Sequence, residues 1–328
     1  MQTTVASRFY IAPILFLAGW LFADFVFGQQ QRIRRLAPGV LTVISTEEEP
    51  EETYTGPVPL VEVVEGIPNL NWTPHFDSKS DTLLEKARTT VLRRVIWNLE
   101  FAFKPMRMIV VDVPQPSGKM QRKLIWYMVY RVTNRGYALS PKPDTNRWGH
   151  TTHSIEKVNY DTRRLFPHIV LTSHEYSKEY VDRVIPAAQG PIQEREDPGV
   201  KLHNSVEITK IAIPLSSDRV ERGVWGFATW EDVDPRIDFF SVYVGGLTNA
   251  YRFRDPAGAY KAGDPPGTGR EYSFKRLRLN FWRPGDEVLE HEREFRFGIP
   301  LDEDRAAERE TLDKYGLKRR LDYLWVYR

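Results

Sequence analysis

Between Leu124 and Gly136 the chain reads LIWYMVYRVTNRG. In an extended strand, Trp126, Met128, Tyr130 and Val132 fall on one side and Ile125, Tyr127, Val129 and Arg131 on the other. Both sides stay apolar until Arg131. A strand in that state is central to its sheet and covered on both faces. Each large side chain buried there contributes about 1.5–3 kcal/mol. Asn134 and Gly136 then tolerate the left-handed backbone that ends the strand.

The neighbouring segments carry the same signal. VIWNLEFAFKP alternates Trp97, Leu99, Phe101 and Phe103 with smaller or polar residues and stops at Pro105. MRMIVVDV, Met106 to Val113, is a second strand, and PQPSGK turns it back into the run above. Further strands are expected at Phe166–Tyr176, Ser205–Leu215, Arg222–Trp230 and Asp238–Leu247. The C-terminal LDYLWVYR places Tyr323, Trp325 and Tyr327 on one face. Thr82 and Glu85 have the spacing of a helix capping box, and Asp302–Tyr315 reads as a surface helix ahead of Gly316. Strands joined by turns with little helix between them predict an all-β fold, an antiparallel β-sandwich. One helix precedes the sandwich and a surface helix lies near the C-terminus.

Cysteine is absent from all 328 residues. Disulfides, thiol catalysis, cysteine zinc sites and a lipoprotein anchor are thereby excluded. The first residues nevertheless read as an export signal. Arg8 precedes the apolar run Phe9–Phe27, interrupted by Pro13 and Asp24, and Val26 and Gly28 suit a cleavage site before Gln29. Retention as an uncleaved anchor is the alternative. The expected organisation is a signal peptide over 1–28, an extended arm over 29–80, and a sandwich domain over 81–328. The arm holds two short strand candidates, GVLTVI and PLVEVV, around the acidic TEEEPEETYTGP, which like-charge repulsion should keep solvated. Balanced charge, 46 basic against 44 acidic side chains, offers no global field for nucleic acid.

Candidate chemistry is sparse. DPPGTGRE, Asp264 to Glu271, is close to a phosphate-binding loop but carries Asp264, Arg270 and Glu271 where glycine, lysine and a hydroxyl belong. A flexible surface loop accounts for it better. Asp232, Asp234 and Asp238, beside Glu231, are the candidate calcium ligands, being hard oxygens at close spacing. Asp and Pro are also ordinary turn residues. His150 and His153, or His168 and His174, could hold zinc only with another converging ligand. Trp72, Trp148 and Trp230 could stack on sugars or simply pack. SFKRLRLNFW and EVLEHEREFRF suggest a hairpin in which Arg278 faces Glu292 and Arg276 faces Glu294, so the basic run reads as an ion ladder.

The block NLEFAFKPMRMIVVDVPQPSGKMQRKLIWYMVYRVTN, with GVLTVI upstream and VYVGGLTNAYRF downstream, resembles uncharacterised exported proteins of planctomycete-type bacteria. The resemblance implies a cell-envelope setting and brings no catalytic residues. YRVTNRG is also similar to strand ends of immunoglobulin-like extracytoplasmic domains, which favours a sandwich over a barrel. The expectation is therefore an exported structural or binding module, periplasmic, envelope-bound or secreted, with an envelope protein or a polysaccharide as partner. A membrane contact would run only through an uncleaved N-terminal segment. No cofactor is expected beyond the calcium candidate. The alternative is an extracytoplasmic hydrolase or carbohydrate-active enzyme using the acids between Trp230 and Asp238 or the histidines near His150.

Overall fold

In the computed structural model the described residues are 41–45, 48–67, 78–196, 198–217, 219–284, 295–300 and 304–328. The export segment, Trp72, Glu292 and Glu294 lie outside them. The chain begins with β1 (Thr42–Ile44), a 3-10 turn at Pro50–Thr53, β2 (Tyr54–Val58), α1 (Val61–Val64) and α2 (Ser78–Arg88). Strands β3 (Thr90–Arg93), β4 (Ile96–Trp97), β5 (Glu100–Phe103), β6 (Arg107–Pro114) and β7 (Met120–Thr133) follow. Next come β8 (Ala138–Thr145), β9 (Thr151–Val158), β10 (Thr162–Arg163), β11 (His168–Ser173), β12 (Glu179–Val181) and α3 (Pro186–Glu196). The C-terminal part holds β13 (Ile213–Pro214), β14 (Val224–Trp230), β15 (Phe239–Gly245), β16 (Tyr251–Arg254), β17 (Glu271–Trp282) and β18 (Arg296–Phe297), then α4 (Arg305–Lys314) and β19 (Tyr323–Tyr327).

The fold is mostly β and sandwich-like, with antiparallel pairing between its strands. One sheet runs β1-β5-β7-β14, with β6 also on β7; the other runs β12-β11-β15-β17-β16, with β18 and β19 on β17. Their inner faces share one core. Trp126, Met128, Tyr130 and Val132 of β7 meet Phe240 and Val242 of β15 and Leu277, Leu279 and Phe281 of β17. Trp126 sits edge-on to Phe240 at 5.5 Å, and Phe103 edge-on to Phe281 at 5.8 Å. That T-shaped geometry places ring edges against ring faces, as aromatic quadrupoles prefer.

Strand β7 is central, as its two apolar faces predict. It pairs with β5 and β6 along one edge and with β14 along the other. Helix α3 packs on the neighbouring β6, with Ala188 and Ile192 buried, and reaches β7 through Glu196. The Tyr127 hydroxyl donates to Glu196 Oε1 at 2.8 Å, and Lys104 and Arg107 reach the same carboxylate at 3.2 and 2.6 Å. Burial alone would raise the Glu196 pKa, but the Arg107 hydrogen bond and charge outweigh it and leave the group below its usual value. The pairing compensates for desolvating the three charges of Glu196, Lys104 and Arg107.

Several local expectations are corrected. PLVEVV forms the short helix α1 rather than a strand, and Ser205–Leu215 holds a 3-10 turn at Ile208–Lys210, with Ile213–Pro214 paired as a short strand and Leu215 bridged to Asn134. Helix α2 begins at Ser78, so Thr82 stands inside it and is no cap. The strand through Trp97 is broken at Asn98 and Leu99, where Leu99 N–H donates to the Leu247 carbonyl. The hairpin register is also different: Phe281 faces Phe297, while Arg276 and Arg278 face Val326 and Leu324 of β19. An isolated charge ladder loses here to the longer strand contact available from the C-terminus.

Across the β7–β14 pairing, Gly226 lies opposite Tyr130, and a Cβ at Gly226 would stand 2.7 Å from that ring. Glycine in a strand interior here marks a close approach. Gly226→Ala should cost about 1–3 kcal/mol through overpacking, seen as a lower urea midpoint with an unchanged m-value.

Candidate functional site

Strand β17 runs through two environments. Over Leu277–Trp282 it pairs with β15 inside the sandwich, and over Glu271–Phe274 it pairs with β16 as a ribbon that is two-stranded up to Ser273, Phe274 also exchanging backbone hydrogen bonds with Arg328 on its other side. Between β15 and β16 the chain makes an irregular turn that needs Gly246. Its φ is 90°, and a Cβ there would stand 2.2 Å from the Phe166 carbonyl oxygen. The two-residue period puts Tyr272 and Phe274 on the side of β17 that later carries Arg276, Arg278 and Asn280, opposite the core residues Leu277, Leu279 and Phe281. Their rings therefore point away from the core.

Cross-strand pairing brings Tyr251 opposite Phe274 and Phe253 opposite Tyr272. All four rings share one face, with centroids 5.7–6.5 Å apart. The Tyr272 and Phe274 rings are nearly parallel, 17° between planes and 6.2 Å between centroids, and remain 48% and 50% exposed. The β16 pair is more covered: the Arg94 guanidinium lies 4.0 Å from the Tyr251 centroid and that of Arg270 lies 4.4 Å from Phe253. Such cation–π contacts contribute about 0.5–1 kcal/mol each at exposed sites.

These arginines are also neutralised or capped. Arg94 donates to the Glu52 and Tyr251 carbonyls at 3.0 and 2.6 Å, and Arg270 meets Asp255 at 2.7 Å and Glu62 at 3.5 Å. The Asp255 hydrogen bond, with Glu62 adding to it, holds Arg270 well above its ordinary pKa. The DPPGTGRE segment is consequently tied down, with Gly267 N–H donating to Glu62 at 3.2 Å and the Thr268 hydroxyl to the Pro265 carbonyl at 2.7 Å.

The other ribbon face anchors it to the body. Arg252 stacks 3.8 Å from the Tyr327 centroid, and the buried Lys275 ammonium reaches Glu52 at 2.6 Å. The Tyr327 hydroxyl donates to the same carboxylate at 2.5 Å. Glu52, only 5% exposed, belongs to the acidic stretch expected to be solvated; a buried lysine draws it in. Glu52→Ala should destabilise by about 1–3 kcal/mol, because it removes the short 2.6 Å charge-assisted contact to the buried Lys275 ammonium and leaves the longer 3.8 Å one to Glu49. The Glu52→Leu, Lys275→Met double variant should regain most of that loss in equilibrium denaturation.

The calcium candidates are each engaged by cations. Asp232 accepts from Lys123 at 2.9 Å, Asp234 from Arg236 at 3.0 Å and Lys178 at 3.4 Å, and Asp238 from Arg283 at 3.2 Å. The Arg236 hydrogen bond holds Asp234 far below its usual pKa, whereas burial raises Asp238. Among the described residues no three acidic or histidine side chains converge as a metal site. His150 and His153 lie on the β8–β9 hairpin, and His168 Nδ1 stands 3.1 Å from Arg276. His174 is 2.7 Å from the Ser241 hydroxyl and 3.3 Å from Arg278; burial and that arginine push its pKa down to about 4. Trp230 is a core residue, and Trp148 is 69% exposed at the hairpin tip under Arg147. A separate cleft of about 600 Å³ is lined by Glu49, Arg319, Asp322, Tyr323 and Trp325, among others.

Sequence reasoning missed the ribbon. YRFR and EYSF alternate aromatic and polar residues on either side of the Gly/Pro-rich loop, a pattern that signals a hairpin with one aromatic face. No protein-family model, curated protein or solved structure matches the chain.

Asp182 supplies a titration test of the packing beside β14. Its carboxylate accepts from Thr229 N–H at 2.7 Å and from the Ser205 hydroxyl, yet burial pushes its pKa up to about 6. A raised folded-state value means that the protonated form is favoured on folding. The associated stability is full below about pH 4 and is lost as pH rises through 6. Relative to Asp182→Asn, the wild type should lose on the order of 2 kcal/mol between pH 4 and 7, measured by urea melts across that range.

Proposed function

We propose that the chain is an exported cell-envelope binding module that engages its partner through the aromatic face of the β16–β17 ribbon. The observation that carries this reading is the half-exposed Tyr272–Phe274 pair, turned away from the core and buttressed by Tyr251, Phe253 and two arginines. Exposed contiguous rings on a rigid support are the form an interaction site takes. Arg8 ahead of the apolar run Phe9–Phe27 and the resemblance to exported proteins support the envelope setting.

A hydrolase fits the geometry less well. The acids near Trp230–Asp238 are held by Lys123, Arg236, Lys178 and Arg283, His150 and His153 lie on the β8–β9 hairpin with no group of three acidic or histidine side chains converging among the described residues, and His174 faces Arg278 and Ser241. Catalytic acid–base work needs a titratable group aimed at a substrate position.

Cell fractionation with sequencing of the mature N-terminus should place the protein in the envelope or outside it, beginning at Gln29. The Tyr272→Ala, Phe274→Ala double variant should fold with wild-type circular dichroism and lose retention on purified envelopes. Equal retention of wild type and double variant would remove the ribbon from the reading, and a cytoplasmic wild type would remove the envelope.

A further inference from the structure

The ribbon face also constrains its ligand, and the following rests on the binding-module reading. We infer that it binds a neutral glycan chain, stacking the C–H faces of successive sugar rings on Tyr272 and Phe274. A flat apolar strip asks for a ligand that is itself flat and apolar on one side. The Tyr272 and Phe274 planes lie 17° apart with centroids 6.2 Å from one another, so two neighbouring, half-exposed rings share nearly one orientation.

Charge separates the possible occupants. A nucleic acid also presents flat faces, but its backbone needs free cations along the groove. Here the cations around the rings are already engaged: Arg270 with Asp255 and Glu62, Arg254 with Glu271, Arg328 beside Phe274 with Glu179, Arg94 with two backbone carbonyls, and Arg276, next on the same face of β17, with His168 Nδ1. Acidic polysaccharides meet the same objection. Size separates the remaining occupants. Fully buried aromatic side chains contribute about 150–250 Å² each, so four rings that are already partly covered offer far less than the roughly 800 Å² per partner of a stable protein interface. A neutral polyhydroxylated chain needs neither free charge nor a large footprint, and its hydroxyls stay in water while its C–H faces stack.

The test is native gel electrophoresis of the full chain through gels containing cellulose-, xylan-, mannan- or dextran-type neutral polysaccharide. Polygalacturonate gels and a labelled oligothymidylate at low salt run in parallel. At least one neutral glycan should retard the wild type. Tyr272→Ala and Phe274→Ala should each weaken binding by roughly tenfold, and Tyr272→Phe should retain it. Binding to none of the neutral glycans overturns the inference, as does binding that survives both alanine variants or a stronger ring-dependent hold on polygalacturonate or oligothymidylate. Envelope retention that depends on the two rings without any glycan binding would sink the glycan and leave the binding-module reading standing.

Discussion

A β-strand changes face with every residue, and in β17 that single constraint serves two purposes. Inside the sandwich its odd positions, Leu277, Leu279 and Phe281, fill the core while Arg278 and Asn280 turn outward into hydrogen bonds with Ser241 and with the backbone at Tyr315 and Leu321. Where β15 gives way to β16, the same period carries Tyr272 and Phe274 onto the outer side. The core fixes the strand's rotation, and the strand's rotation fixes the aromatic face.

The ribbon would be a weak platform by itself, since an isolated two-stranded hairpin is marginally stable in water. Its support is tertiary. Glu52 arrives from the N-terminal part and Tyr327 from the last strand, and they meet at Lys275 of β17. Glu62 and Asp255 fix Arg270 at one end of the rings, and the Glu52 carbonyl fixes Arg94 at the other. Segments from both halves of the chain thus converge on one small surface. The buried carboxylate of Glu196 plays a parallel part on the opposite sheet, where it ties α3 to β7 through Tyr127 and to the end of β5 through Lys104.

Much of the sandwich was readable in advance because burial on both faces leaves a local mark. The run from Leu124 declared a central strand, and β6, β14, β15 and β19 followed from alternation and turn residues. The errors share a cause. PLVEVV and Ser205–Leu215 have apolar residues at spacings that a strand or a short helical turn can use, and neighbouring elements decided between them. The acidic stretch around Glu52 looked solvated because no local residue explains a buried glutamate; its partner, Lys275, lies in the C-terminal half. The aspartates of the Trp230–Asp238 turn looked like ion ligands because spacing in sequence says nothing of the four cations that reach them.

The amino-acid sequence by itself determined the all-β class, the centrality of β7 and the absence of thiol chemistry, since periodicity and composition act locally. Only the tertiary structure decided which carboxylates are neutralised and which aromatic rings stay outside the core. Those outcomes depend on contacts between residues far apart in the chain, such as Glu52 with Lys275 and Arg94 with Tyr251, and on the single register that lets β17 serve both the core and the ribbon.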